Sequence, residues 1–290
     1  MRVLVFLLIL FSELSFAISV TDDRGQVITL EKPAQRIISL APHDTELLFA
    51  VGAGTNIVGA IEYSDYPPQA LKIPRIGNAM RIDMERVLSM RPDLVVAWGG
   101  GNSKSDIQRL EDRGVTVFVT QAKSLTDISK QALALGVLTG NQAKAEQVVK
   151  KFRQELQQLA VTYSQRSKVS VFYQIWGRPL MTISGQHIIS DAIRLCGGKN
   201  IFSDLSAIAP AVSQEAVMHA DPEVIISGQS GSDSDFFADW ESWKKLSAVQ
   251  NKHLYVVSAE LLSRATPRML EGVQQLCELI QKVRDAGSNN

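Results

Sequence analysis

Four side chains and one short run carry the recognition chemistry of this chain: His43, Tyr63, Trp98, Trp176, and the stretch Glu260, Leu261, Leu262, Ser263, Arg264. Each falls just after an apolar run that reads as a strand, and in open α/β sheets ligands sit beyond the carboxyl ends of the strands. Tyr and Trp each offer a large flat apolar face with one polar edge. Set around a cleft, such faces suit a large, flat, partly polar ligand held between two lobes. Tyr63 opens the stiff loop Tyr63-Ser64-Asp65-Tyr66-Pro67-Pro68. Trp98 is followed by Gly99-Gly100-Gly101-Asn102, a run that lets backbone approach a ligand closely. His43 has two readings: a turn residue beside a helix cap, or a contact to a bound metal complex, up to axial ligation.

Enzyme signatures are missing. The chain has no G-x-S-x-G, no Walker loop, no H-E-x-x-H, and no G-x-G-x-x-G after its first strand. The four histidines, His43, His187, His219 and His253, lack metal-ligand spacing, so no directly bound metal and no resident cofactor are expected. Glu85 and Glu215 each open a short helix. A carboxylate is favourable in a helix's first turn; the second reading is a pair of exposed acids, one per lobe, that dock on basic sites of a symmetric partner. Thirty Lys+Arg balance thirty Asp+Glu, with no basic cluster, which excludes nucleic acid as a partner.

Residues 1–17 read as an export signal: Arg2, an apolar core, and Ser15-Phe16-Ala17 as the cleavage site. An exported chain with two cysteines, Cys196 and Cys277, favours one disulfide, against two buried thiols.

Positioning these residues requires an alternating framework. A hairpin is predicted over 18–31, then strands at 36–40, 56–61, 93–97 and 115–119, with helices at 45–51, 83–90, 105–113 and 125–138. This is an α/β lobe with a mostly parallel sheet. Residues 141–166 follow as one long helix with Asn141 as N-cap. Ala145, Val148, Val149, Phe152, Leu156, Leu159 and Tyr163 make its single apolar stripe. At 1.5 Å per residue it is roughly 39 Å long, enough to run from one lobe to another. The pattern then restarts with strands at 169–175 and 253–257, helices at 188–195, 236–246 and 267–286, a polar loop at 228–235, and a loop at 258–266. Trp240 and Trp243 read as packing residues. The segments 84–97 and 214–227 repeat one unit, a helix opened by Glu and a strand opened by Pro, with the same spacing from Glu85 to Pro92 as from Glu215 to Pro222.

The runs RIISLAPHDTELLFAVGAG, YSDYPP, MERVLSMRPDLVVAW with its GGN, CGGKNIF, VSQEAV and SRATPR resemble the substrate-binding proteins of vitamin B12 and ferric-siderophore ABC importers over nearly the whole mature chain. The resemblance implies two Rossmann-like lobes, 18–140 and 167–290, joined by the stiff helix 141–166, with little hinge motion. It implies a monomeric periplasmic protein that carries a corrinoid in the interlobe cleft to an inner-membrane ABC importer permease. Tyr63 and Trp98 match corrinoid-contacting positions, and 260–264 matches the contacting loop of the second lobe. Glu85 and Glu215 match glutamates that engage permease arginines, and Cys196–Cys277 matches the family disulfide. Ala79 and Ala209 depart, standing where family members have further cleft tryptophans; Trp176 is the candidate replacement. The alternative cargo is a ferric siderophore or haem. Anionic siderophores would want several cleft cations, and only Arg178 and Arg264 are candidates.

Overall fold

The computed structural model describes residues 17–228 and 237–288. Residues 1–16 of the expected export signal lie outside the described residues, as do 229–236, which hold most of the expected polar loop and the first residue of the helix after it. Strands β1 (Ile18–Thr21) and β2 (Val27–Leu30) form the expected antiparallel hairpin, with Ile18 opposite Leu30. Asp22 closes its turn by accepting the Arg24 and Gln26 amides.

The first lobe continues with β3 (Ile37–Ser39), α1 (Pro42–Ala50), β4 (Ile57–Ala60), α2 (Met84–Ser89), β5 (Leu94–Trp98), α3 (Lys104–Glu111), β6 (Val117–Thr120) and α4 (Leu125–Leu138). Its four strands are parallel in the order β4-β3-β5-β6. The strands are apolar runs buried on both faces, which is what helices on either side of a parallel sheet require. After α5 (Gln142–Tyr163) come β7 (Val169–Gln174), α6 (Ile188–Leu195), β8 (Gly198–Asn200), α7 (Gln214–Ala220), β9 (Val224–Ser227), α8 (Ala238–Glu241), α9 (Ser247–Gln250), β10 (Leu254–Val256), α10 (Ala259–Leu262) and α11 (Met269–Ser288). The second sheet is parallel in the order β10-β9-β7-β8. Counted within each lobe, both sheets run second-first-third-fourth. The repeated Glu-helix and Pro-strand units are the α2–β5 and α7–β9 pairs, which supply the third strand of each sheet.

Helix α5 changes core along its length. Ala145 and Val149 are buried with Leu135 and Leu138 of α4 in the first lobe, whereas Phe152 is buried with Val169, Val171 and Ile193 in the second, with Leu156, Leu159 and Tyr163 beside it. The approach to α4 is close: a Cβ on Gly136 would lie 2.3 Å from the Ala145 methyl, so only glycine fits there. Asn141 occupies the N-cap position without capping, because its Nδ2 donates back to Thr139.

Four local expectations differ from the structure. Helix α1 starts at Pro42 and not at Thr45, since proline's missing N–H costs nothing in a first turn. Strand β8 arises from Gly-Lys-Asn, which has no β-type residue, because it is a short edge strand on β7. The helix expected over 236–246 ends at Glu241, although Trp240 is a core residue as expected. The loop expected at 258–266 contains α10.

Cys196 and Cys277 form a disulfide between α6 and α11 across a sequence separation of 81, within the second lobe. In the chain-entropy account such a loop contributes about 4–5 kcal/mol. The same helix α6 carries an acid-sensitive cap. His187 Nδ1 accepts the Ile189 amide at 3.1 Å, which demands an unprotonated nitrogen, and burial pushes the His187 pKa down to about 4. The unfolded chain therefore binds this proton first as pH falls from 6.5 toward 4, and stability falls with it, by roughly 3 kcal/mol in full. His187→Asn keeps a capping side chain without the titration. Its urea midpoint should drop less between pH 7 and pH 4.5 than that of the parent; equal drops would refute this assignment.

Candidate functional site

Helix α1 begins directly after β3, which sets His43 in its first turn and not on a free loop. His43 is largely buried and meets the Trp98 ring edge-on, at 5.3 Å and 88°. Beneath it the wholly buried Asp44 accepts from Thr120 Oγ1 at 2.8 Å and lies 3.6 Å from His43 Nε2. Burial raises the Asp44 pKa, against the lowering pull of His43 and Thr120. Asn102 stitches the floor together: its Oδ1 accepts the Trp98 amide at 2.6 Å, and its Nδ2 donates to Leu40 O and to Ala79 O.

The glycines after Trp98 serve the tryptophan itself. A Cβ on Gly101 would lie 2.0 Å from the indole, and one on Gly100 2.8 Å from its Nε1. The run therefore makes room for the Trp98 ring over its own backbone. The ring keeps 37% of its residue surface exposed.

The Tyr63 loop leaves β4 under tight control. Arg75 donates to Ser64 O at 2.7 Å and to the Ala70 and Ile73 carbonyls, while Thr45 Oγ1 donates to the buried Ser64 and Ser39 hydroxyls. These bonds hold Tyr63 at φ +63°, a left-handed conformation that costs a bulky residue about 1–2 kcal/mol. The strained backbone points its side chain out, 76% exposed, with Tyr66 partly exposed beside it.

From the second lobe, Trp176 follows β7 and is 61% exposed, with Nε1 donating to Arg178 O at 3.0 Å. Arg178 is ion-paired with Asp239. Glu260 and Ser263 are exposed and Leu261 half-buried, but Leu262 is wholly buried in the core of the second lobe, with no surface left for a ligand. Arg264 is also buried, and its guanidinium turns to the first lobe. Nη1 lies 2.8 Å from Asp65 Oδ1, and Nη2 donates to Tyr63 O at 3.4 Å. His43, Tyr63 and Trp98 thus all follow the carboxyl ends of strands of one sheet, with His43 against Trp98. Trp176 and 260–264 occupy the corresponding edge of the other, and Arg264 joins the two.

Sequence reading missed the ion network beside that junction. Glu46 of α1 accepts from Thr266 Oγ1 at 2.6 Å and from Arg268 Nε and Nη2 at 3.0 and 2.7 Å, and Arg268 stacks 3.9 Å over the Tyr66 ring. An acid directly before the apolar Leu47-Leu48, in a helix set against the sheet, was the available signal. A separate groove of about 730 Å³ between α5 and the start of α11 touches none of the exposed aromatics. Glu85 and Glu215 are both exposed, in the first turns of helices capped by Asp83 and Ser213. Glu215 is held below the usual carboxylate range by hydrogen bonds from its own amide and from Ser213.

Two like parallel sheets bridged by one helix, with exposed aromatics after strands of both, define a class. The family described as "Periplasmic binding protein" matches residues 37–261, and the chain belongs to it. Within that family it is 38% identical over 250 residues to the vitamin B12-binding protein of Vibrio cholerae, covering 86% of this chain and 90% of that one. The crystal structure of the periplasmic vitamin B12-binding protein BtuF of Vibrio cholerae superposes with a TM-score of 0.81, covering 87% of this chain and 98% of that one at 38% identity. The haem-binding protein RhuT of Roseiflexus, at 21% identity and a TM-score of 0.75, shares the fold over 86% of this chain and 99% of that one.

Proposed function

We propose that this chain is a periplasmic substrate-binding protein that captures a corrinoid, vitamin B12, between its lobes and hands it to an inner-membrane ABC importer. Tyr63, Trp98 and Trp176 supply the flat apolar contacts, with His43 edge-on to Trp98 and Glu260, Leu261 and Ser263 at the opposite edge. Residues 18–140 and 167–290 act as the two lobes and 141–166 as a stiff connector. The protein binds and releases its cargo without chemistry on it.

The observation that carries the reading is the pairing of exposed aromatic faces with neutralised cations. Arg178 has Asp239 as its partner at the surface and the buried Arg264 has Asp65, so each of the two candidate cations is balanced by a carboxylate. Large flat faces beside balanced charges suit the amide-fringed, overall neutral surface of cyanocobalamin. Calorimetric titration with cyanocobalamin, a ferric siderophore and haem tests this. Cyanocobalamin should bind and the other two bind at least tenfold more weakly; tighter binding of either anion would replace the reading.

Glu85 and Glu215 occupy equivalent first turns in two lobes of like topology, which fits a partner with paired basic sites. Reversing both to Lys should leave cyanocobalamin affinity intact and abolish binding to importer reconstituted in nanodiscs, since like charges placed opposite each other cost several kcal/mol. Undiminished docking of the double variant would remove these residues from the interface.

A further inference from the structure

The junction between the lobes holds two carboxylates and two guanidiniums: Glu46, Asp65, Arg264 and Arg268. They do not share their charges evenly. Glu46 is taken up by Arg268, which it binds through both oxygens, and by Thr266, and it stands 3.8 Å from Arg264 Nη1. The close counter-charge of Arg264 is therefore Asp65, at 2.8 Å. That contact is an ion pair without an aligned hydrogen bond, because Arg264 Nη1 is buried and has no hydrogen-bond partner among the described residues. The two partners differ in access: the Arg264 side chain is 11% exposed and the Asp65 side chain 44%. Asp65 sits between Tyr63 and Tyr66 on the pinned loop, so it covers a buried cation at the edge of the aromatic surface.

We propose that Asp65 is a specificity residue: it neutralises Arg264 and so keeps anionic planar chelates out of a surface whose aromatic faces would otherwise accept them. The quartet is balanced with Asp65 present. Without it the junction holds one guanidinium in excess, bonded to the Tyr63 carbonyl on the loop that exposes the Tyr63 side chain, which is the arrangement that recognises a carboxylate attached to a flat apolar ring system. The ligand class admitted is a tetrapyrrole or aromatic chelate bearing carboxylates. The inference rests on the proposed cleft but not on which cargo fills it.

The test compares parent, Asp65→Ala and Asp65→Asn for binding of haem, whose propionates are the probe, and of cyanocobalamin as the neutral comparator. Haem affinity should rise at least about tenfold in Asp65→Ala, and the gain should shrink in about 0.5 M NaCl, where exposed charges are screened. Adding Arg264→Gln should cancel it. Asp65→Asn, which keeps the covering side chain, carries the same comparison if the alanine variant fails to fold. Unchanged haem affinity in the folded Asp65 variants overturns the proposal, as does a gain that survives Arg264→Gln. Failure of the cargo reading appears separately, as absence of cyanocobalamin binding by the parent, and leaves the haem comparison readable.

Discussion

Glu46→Ala should destabilise the protein by roughly 3–5 kcal/mol. The Glu46 carboxylate is 3% exposed and is the common acceptor for Thr266 and Arg268, residues about two hundred positions away in the other lobe. Removing one partner of a buried ion pair is costlier than never having built it, since the remaining charge is left without water or counter-ion. Here the residue left behind is Arg268, whose side chain is 17% exposed. Glu46→Gln keeps one acceptor for Thr266 and should lose less. The measurement is the urea midpoint with its slope, alongside the radius of gyration from X-ray scattering. Because these bonds cross from lobe to lobe, the alanine variant should also be larger in the folded state. A loss below 1 kcal/mol with an unchanged radius would mean that α5, α4 and α11 alone set the lobe spacing.

Trp98→Ala should weaken cyanocobalamin binding by about 2–3 kcal/mol, roughly 30- to 150-fold, as for a central aromatic anchor. Its ring is held in place from three directions, by Asn102 at its own backbone, by glycines 100 and 101 beneath it, and by His43 at its edge, so little ordering remains to be done on binding. Tyr63→Ala should cost less, about tenfold, because its ring stands free of such support. Tyr63→Gly separates two roles of that residue. It should bind as poorly as Tyr63→Ala, yet be at least as stable as the parent, because glycine adopts φ near +63° without penalty. Calorimetry and thermal melts on the same samples decide it. Affinity unchanged in both Trp98→Ala and Tyr63→Ala would remove the first lobe from the binding surface.

Helix α4 and helix α6 were readable to the residue, because periodic apolar spacing and strong caps act locally. So was the repetition of one construction unit, since the Glu-helix and Pro-strand pattern recurs intact and both copies supply the same strand of like sheets. Strand β8 was not readable: Gly198-Lys199-Asn200 pairs only because β7 offers it an edge. The exposure of Tyr63, Trp98 and Trp176 matched residue types that recognise flat ligands, but the burial of His43, Leu262 and Arg264 depends on contacts far along the chain. The Glu46 network illustrates the limit. Its members look like ordinary charged residues until the fold brings them together across a separation of 220 positions.

Helix α5 behaves mechanically as a beam clamped at both ends. Its first turns are gripped by one core and its later turns by the other, and the grip changes hands between Val149 and Phe152. A tilt of one lobe against the other must bend the rod within that single turn, where the backbone bonds are already made and no glycine or proline offers a joint. Any change in the spacing of the two lobes therefore has to be absorbed as bending strain in that one turn of α5.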